Sequence, residues 1–199
     1  MKAEAAAGAA RLLAEAWRMG ARLQDMPAEI RPKTLADSYR VQERLVAEIA
    51  IAPGGWKIGC TSVRAQKALN AKGPFPGTMF ANRLFRPGDK VPTVAANRRV
   101  VEPEVAFTMD RALPPRGRDY GTEEVLAAVA SVHAAVEIVN PRTPRGFADP
   151  VPWFIVDGGL NDSIVLGAPV RPAAIADFAS LRAEVEAKGV LNNPKRNAI

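Results

Sequence analysis

Two stretches near the start of the chain carry apolar residues at the spacing of an amphipathic helix. From residue 9 to about residue 22, leucines, alanines and a tryptophan recur at helical intervals with charges between them. A second run follows Thr34, which has Asp37 three positions later in the arrangement of a capping box, and it stops at the Pro-Gly-Gly break of residues 53–55. The pattern predicts a small N-terminal helical region over residues 1–53.

Beyond residue 54 the pattern changes to short apolar stretches separated by glycine and proline, which is typical of strands. The stretches cover residues 56–59, 77–84, 100–109, 132–139 and 163–166. One helix interrupts them, because Thr122 is a natural N-cap and two glutamates follow it, where they favour the first turn of a helix. We therefore expect an α+β fold in which a strand-rich region, residues 54–199, follows the helices.

Length and composition fit one globular domain with a buried core. The chain has 199 residues, of which 48% are hydrophobic and 24% charged. It contains no apolar run of the length, about 18 residues or more, that a membrane span needs. Charged residues also interrupt the alanine-rich start. We expect neither a membrane span nor a secretory signal, and hence a cytoplasmic protein.

Charge and cysteine content narrow the classes of partner and metal. The 27 Lys and Arg residues exceed the 21 Asp and Glu residues, for a net charge of +6, which favours either nucleic acid or small anionic substrates. Because the basic residues are scattered and not interleaved with aromatic ones, we expect no nucleic-acid binding. Cys60 is the only cysteine, so the chain cannot form an intramolecular disulfide or a cysteine zinc site, and a metal must bind to oxygen.

Glu102 and Glu104 are the sharpest local feature of the sequence. Their spacing of two on a predicted strand points both carboxylates to the same face. The two charges repel unless solvent, a shared proton or a cation relieves them, and a hard divalent ion does so best. For this pair alone, a solvated strand face is the competing interpretation.

Glu137 changes that picture because it lies inside an otherwise apolar strand, where an unpaired charge is costly. Such a carboxylate needs a partner. If it meets the first two, the three form a metal site with open positions, at which an ion can bind a 2-keto acid through two oxygens.

Three other polar residues have both a functional and a structural interpretation. Lys57 follows a Gly-Gly turn within an apolar stretch, so partial desolvation suits it to proton transfer, but a lysine at a strand end can also extend to solvent. Asp157 ends an apolar stretch that we predict as a strand, and it serves either the chemistry or an Asx turn. His133, the only histidine, shares the strand parity of Glu137 and either faces the site or is a hydrogen-bonded structural residue.

Six segments, in order along the chain, resemble the hydratase/decarboxylase branch of the fumarylacetoacetate hydrolase superfamily, which includes the 2-keto-4-pentenoate hydratases. Together they span roughly residues 10–187. The segments are Ala-Asp-Ser-Tyr-Arg-Val-Gln (36–42), Lys-Ile-Gly-Cys-Thr-Ser (57–62), Pro-Phe-Pro-Gly-Thr-Met-Phe (74–80), Glu-Pro-Glu (102–104), Ala-Val-Glu-Ile (135–138), and Val-Asp (156–157) ahead of Val-Leu-Gly (165–167).

The resemblance implies a mixed β-roll domain after the helical region, with a divalent metal, Mg²⁺ or Mn²⁺, in its interior. It also implies roles for seven site residues. The metal ligands are Glu102, Glu104 and Glu137, the acid/base groups are Lys57 and Asp157, and the substrate-binding residues are Gly77 and Thr78.

The reaction implied is the hydration of a small 2-hydroxy-2,4-dienoic acid, which is ketonised and then takes up water to give a 4-hydroxy-2-oxo acid. Decarboxylases of the 4-oxalocrotonate type form the same enolate by losing CO₂, so these motifs do not separate the two activities. Hydrolases of the superfamily use a histidine and carboxylate dyad, and His133 lies away from its expected place. The resemblance further implies a small 2-keto or 2-hydroxydienoic acid as partner and a homo-oligomer.

The chain departs from the family pattern in three places. Phe75 stands where some relatives have an acidic residue, and the turn after Asp157 reads Gly-Gly-Leu-Asn where relatives often have asparagine at once. The family pattern also stops near Gly189, whereas relatives continue with a further helix and strands. We therefore expect a chain truncated at its C-terminus that is less stable and less active than a full-length relative, with a non-catalytic paralogue as the alternative.

Overall fold

The computed structural model describes residues 1–92, 99–184 and 186 of the chain. These residues contain five α-helices and six strands. The helices are α1 (Ala3–Met19), α2 (Leu35–Ile49), α3 (Val63–Leu69), α4 (Thr122–Leu126) and α5 (Val151–Val156). The strands are β1 (Pro53–Gly59), β2 (Phe75–Phe80), β3 (Leu84–Phe85), β4 (Val100–Met109), β5 (Val129–Val139) and β6 (Asn161–Leu166). The predicted α+β class, with the longest helices first, is confirmed.

The N-terminal helices form because their ends are capped and one face of each is apolar. The Thr34 hydroxyl accepts a hydrogen bond from the Asp37 amide at 3.1 Å, and the Asp37 carboxylate accepts from the Thr34 amide at 3.2 Å, which is the predicted capping box. Helix α1 begins at Ala3, earlier than predicted, because alanine is the strongest helix former even without a periodic pattern.

The core of α1 and α2 continues into the strand-rich part of the chain. Buried side chains of both helices pack against Phe80 at the end of β2 and Val156 at the end of α5. The helical members of this core are Ala6, Ala9, Ala10, Leu13, Ala14, Val41, Leu45 and Ile49. The helices therefore share a hydrophobic core with the strands, and the boundary at residue 53 stays a prediction.

The strands form two sheets, one of which is mixed. Strands β1 and β2 pair antiparallel, and the second sheet has the order β3-β6-β5-β4. In that sheet β3 runs parallel to β6, whereas β5 is antiparallel to both of its neighbours. Strand β4 has the predicted bounds, because apolar residues recur along it and a segment rich in proline and glycine follows it.

One strand prediction is wrong, and one helix was not predicted. Residues 151–156 form helix α5 rather than a strand, since Pro152 fits the first helical turn and periodicity does not separate a short buried helix from a strand. Helix α3 has no buried residue to mark it, and it begins where the Ser62 hydroxyl accepts from the Ala65 amide at 3.1 Å. The expectation for the chain from Gly189 onward lies outside the described residues. Within the described ranges, no helix combines the length and apolar character needed to cross a bilayer.

Candidate active site

The pairing of β4 with β5 brings the three predicted carboxylates together. Glu102 lies directly opposite Glu137 in the antiparallel register, and Glu104 is two positions further along β4. Cross-strand partners and residues spaced by two share one face of a sheet. One carboxylate oxygen from each residue lies within 4.8 Å of the other two. The three glutamates form a single cluster of acidic oxygens.

Burial makes this cluster electrostatically costly in the absence of a cation. Glu137 is fully buried, and Glu102 and Glu104 are partly buried. Burial, together with the nearby Glu137 charge, raises the pKa of the Glu102 carboxyl and raises that of Glu104 to about 7, while the Lys57 ammonium opposes both shifts. Neutralisation by a proton or a bound cation is therefore favoured at this position.

Lys57 supplies one positive charge to the cluster. Its Nζ lies 3.2 Å from Glu137 Oε2, and only 11% of its side chain is exposed. No described residue donates a hydrogen bond to that Oε2 atom, although it is buried. One ammonium against three carboxylates leaves an excess of negative charge. The residues therefore fit a hard divalent cation such as Mg²⁺ or Mn²⁺, which prefers carboxylate oxygens.

The cluster borders a cleft of about 490 Å³, which Lys57, Glu102 and Glu104 help to line. Other polar residues, Arg64 among them, and a number of apolar residues also line it. The apolar lining residues include Leu69, Phe75, Val139, Phe147, Phe154 and Leu160. Phe75, which stands where some relatives have an acidic residue, is one of these apolar residues. With a cation bound to the carboxylates, such a cleft can take a small organic acid with its charged group at the cation and its hydrocarbon part along the apolar residues.

Asp157 lies in a different environment from Lys57. It is buried, its Oδ2 accepts from the Arg142 amide at 2.7 Å, and its Oδ1 accepts from Arg142 Nη1 at 3.1 Å. Burial raises the pKa of Asp157 to about 6, and the Arg142 guanidinium opposes the shift. Asp157 lines a second cavity of about 10 Å³, which has room for about one water molecule.

Thr78 and Gly77 have packing roles in the structure. Thr78 lines the small cavity with Asp157, and its hydroxyl donates to Gln42 Oε1 at 3.1 Å. Gly77 lies against the backbone of Gly158, so close that an added Cβ would sit 2.1 Å from the Gly158 carbonyl oxygen. Their assignment to substrate binding, like that of Asp157 to acid/base chemistry, stays a prediction.

His133 has the hydrogen bonds of a structural residue. Its Nδ1 lies 2.9 Å from the Gly167 carbonyl oxygen, to which it donates, and its Nε2 lies within hydrogen-bond distance of Ser131 Oγ at 2.9 Å and Thr108 Oγ1 at 3.0 Å. The side chain is not among those that line the cleft. Of the two interpretations offered by the sequence, the geometry favours the structural one.

Two polar residues that contact the predicted site were missed in the sequence. Arg142 binds Asp157 across fifteen positions of chain, and Asn161 donates from Nδ2 to Glu137 Oε1 at 3.0 Å. Neither has a local motif that marks it, because each acts through a contact that only the tertiary fold creates. The weak signal for Asn161 is its place directly after an unusual Gly-Gly-Leu turn.

Comparisons with known proteins show which enzymes this chain is similar to. No model of a protein family matches the chain. The TodF product hydratase of Pseudomonas putida F1 is 31% identical over 179 residues, which cover 88% of this chain and 65% of that protein. A 2-keto-4-pentenoate hydratase of Burkholderia vietnamiensis is 32% identical over 62% of this chain and 45% of its own length. The predicted resemblance to this branch of enzymes is confirmed.

The fold is shared with a solved decarboxylase. The 4-oxalocrotonate decarboxylase from Pseudomonas putida G7, complexed with magnesium and adipate, superposes with a TM-score of 0.72 at 16% sequence identity, over 88% of this chain and 67% of that one. A second structure of that enzyme, complexed with calcium and acetate, gives 0.71. The chain spans 65% or less of the length of these hydratase relatives.

Replacing Gly77 by alanine should destabilise the fold, because the new methyl group would overlap a backbone oxygen that cannot rotate away. We expect a loss of about 3 kcal/mol in the free energy of unfolding, at the upper end of overpacking effects. Urea unfolding measures it. Gly73→Ala is the matched control, since nothing lies within 4 Å of its added Cβ. Equal stability of the two variants would contradict the close backbone contact.

Replacing Asp157 by asparagine should likewise lower stability, because both carboxylate oxygens accept hydrogen bonds from Arg142 and the NH2 of the amide would face one of these donors. Leaving a buried donor without its acceptor costs about 2 kcal/mol, and the measurement belongs at pH 8, where Asp157 is ionised. Asp25→Asn breaks the exposed pair with Arg31 and should cost less than about 1 kcal/mol. A stable Asp157→Asn protein that lost only turnover would instead favour the acid/base assignment.

Proposed function

We propose that the protein is a metal-dependent hydratase, which adds water to a small 2-hydroxy-2,4-dienoic acid to give a 4-hydroxy-2-oxo acid. The observation that carries the proposal is the cluster of Glu102, Glu104, Glu137 and Lys57 beside a cleft that apolar side chains also line. The names of the relatives, a TodF product hydratase and 2-keto-4-pentenoate hydratases, support it.

Glu102, Glu104 and Glu137 would hold the divalent ion, Mg²⁺ or Mn²⁺. When bound, the ion would act as a Lewis acid toward the carboxylate and the 2-oxygen of the substrate. The buried Glu137 Oε2, which accepts no hydrogen bond from the described residues, supports this ligand set. The magnesium in the 4-oxalocrotonate decarboxylase structure supports the kind of ion.

Lys57 would hold and move the protons of the reaction. In 2-hydroxypenta-2,4-dienoate the hydroxyl proton leaves the 2-oxygen and a proton is added at C5, which moves the remaining double bond to C3–C4. Water then adds its hydroxyl to C4 and a proton is added at C3, so the net change is one molecule of water. Lys57 is suited to proton transfer because it lines the cleft and its ammonium nitrogen lies 3.2 Å from the Glu137 carboxylate.

The apolar residues of the cleft would orient the carbon chain of the substrate. Side chains such as Phe75 and Phe154 exclude water from the hydrocarbon part and leave the acid end at the cation bound to the carboxylates. A cleft of about 490 Å³ has room for a short dienoate along these residues.

A decarboxylase is the second candidate, and the fold shared with 4-oxalocrotonate decarboxylase is the observation that favours it. Both reactions use an enolate of a 2-oxo acid, so the same carboxylates and lysine serve either. The chain covers 65% or less of the length of the hydratase relatives named above, so the activity of those whole enzymes is a proposal for this chain. A non-catalytic paralogue is the alternative without activity.

The test is an absorbance assay with 2-hydroxypenta-2,4-dienoate, run with Mg²⁺ and with a chelator. We expect a metal-dependent loss of dienoate absorbance and formation of 4-hydroxy-2-oxopentanoate. Release of CO₂ from 4-oxalocrotonate without dienoate hydration would favour the decarboxylase. Turnover of neither acid at saturating Mg²⁺ would contradict an enzymatic function and favour the paralogue.

The oligomeric state and the location also belong to the proposal. We expect a homo-oligomer in the cytoplasm, as the resemblance and the sequence predict. Size-exclusion chromatography with light scattering tests the first expectation, and a mass equal to one chain of 21.3 kDa would contradict it.

A further inference from the structure

We infer that Asn161 is a positioning residue of the proposed metal site. Its side-chain amide holds one oxygen of Glu137 and so keeps the other directed at Lys57 and the ion. The inference rests on the proposed function, since it concerns a ligand of that site. It assigns a role to a residue that no motif marks.

The two oxygens of the Glu137 carboxylate have different partners. Oε1 accepts from Asn161 Nδ2 at 3.0 Å, whereas Oε2 accepts no hydrogen bond from the described residues and lies 3.2 Å from Lys57 Nζ. Both Glu137 and Asn161 are buried, at 0% and 7% exposure. Because water has little access to either, these two neighbours fix the rotation of the carboxylate, the amide through a hydrogen bond to Oε1 and the Lys57 ammonium through its charge beside Oε2.

Asn161 is itself held by backbone contacts that do not depend on its side chain. It begins β6 opposite Val139, and its carbonyl oxygen accepts from Arg142 Nη1 at 3.1 Å. The preceding Leu160 has a φ of 65°, and its carbonyl oxygen accepts from the Asn140 amide at 3.0 Å. The turn therefore delivers the amide to Glu137 from a fixed position.

The same turn makes room for the lysine. Gly159 has a φ of 71°, and a Cβ added there would lie 2.9 Å from Cδ of Lys57. Gly159 thus leaves space for Lys57, and Asn161 donates to the Glu137 carboxylate that Lys57 contacts. Because both residues belong to one turn, the orientation of the Glu137 carboxylate depends on the conformation of that turn.

A neutral amide suits the position better than a charged group. A second cation would compete with the metal ion for the carboxylate, and a second acid would repel it, whereas asparagine donates a hydrogen bond and adds no charge. Groups that orient a metal ligand in this way typically contribute about 10-fold to 100-fold to metal affinity.

The test measures Mn²⁺ binding by calorimetry for the unmutated protein, Asn161→Leu, Glu137→Gln and the double variant. We expect Asn161→Leu to weaken binding by about 10-fold to 100-fold. In the Glu137→Gln background the same change should cause little further loss, because Asn161 acts through that carboxylate. A purely structural role would give additive losses. Asn82→Leu, at an exposed position, is the matched control.

Thermal unfolding of each variant shows that the fold is retained, and Asn161→Ser, whose hydroxyl is too short to reach, replaces the leucine variant if that one does not fold. Binding within about twofold of the unmutated protein, additive losses in the cycle, or no Mn²⁺ binding by the unmutated protein would each overturn the inference. A non-additive cycle in a protein that does not hydrate the dienoate would support the role of Asn161 and overturn the proposed function.

Discussion

Replacing Lys57 by methionine should lower turnover by about 100-fold or more, the usual contribution of a group that transfers protons. The methionine keeps most of the aliphatic volume of the side chain, which is 11% exposed, but it cannot carry a proton. Mn²⁺ affinity should be retained or rise slightly, because the variant removes the cation beside Glu137 Oε2. The two effects separate proton transfer from metal binding.

The matched control is Lys67→Met, which makes the same chemical change at an exposed position of α3. Its turnover and Mn²⁺ affinity should equal those of the unmutated protein. Equal turnover in the Lys57 variant and this control would remove Lys57 from the mechanism. A parallel loss of metal affinity and turnover would show that Lys57 acts by holding Glu137 in place.

Replacing Glu137 by glutamine should weaken Mn²⁺ binding by about 100-fold or more, because the loss of a charged ligand exceeds the loss of an outer partner. The amide is nearly isosteric and keeps an oxygen that can accept from Asn161, so the fold should persist. Calorimetry at pH 8 measures the change, since the raised pKa of Glu104, about 7, means that protons compete with the ion at lower pH.

Glu123→Gln is the control for this variant, because Glu123 is exposed in the first turn of α4. We expect it to bind Mn²⁺ as the unmutated protein does. If the Glu137 variant also bound as tightly, the ion would not use this carboxylate, and the three-glutamate site would be wrong.

The elements that the sequence predicts well are those whose signal is local. The capping box of Thr34 and Asp37 involves four consecutive residues, and the strand over residues 100–109 is followed by a segment rich in proline and glycine. The spacing of Glu102 and Glu104 likewise sets their common face without any tertiary information. Glu137 could be added because a charge in an apolar strand is costly wherever the strand lies.

What the sequence does not predict depends on contacts between distant segments. The pairing of Asp157 with Arg142 and that of Glu137 with Asn161 each arise only when loops and strands meet in the fold. Helix α5 was misassigned because six apolar residues fit either a buried strand or a short helix. The close approach of Gly77 to Gly158 also has no local pattern, since it joins residues 81 positions apart.

The structure brings the three predicted ligands together in one cluster, whereas the surroundings of the predicted acid/base residues follow from neither the motifs nor the resemblance. Lys57 contacts Glu137, and Asp157 is bound by Arg142 beside a separate small cavity. A motif preserves the order of residues along the chain but not the partners that each residue has in a particular protein.

Anomalous diffraction from crystals soaked in Mn²⁺ tests the central claim, that three glutamates hold one divalent ion, most directly. We expect a single strong anomalous peak beside the cleft, with oxygen atoms of Glu102, Glu104 and Glu137 at bonding distance. The peak should be absent from crystals of the Glu137→Gln variant soaked in the same way. A peak elsewhere, or none among these carboxylates at a saturating concentration of Mn²⁺, would contradict the account.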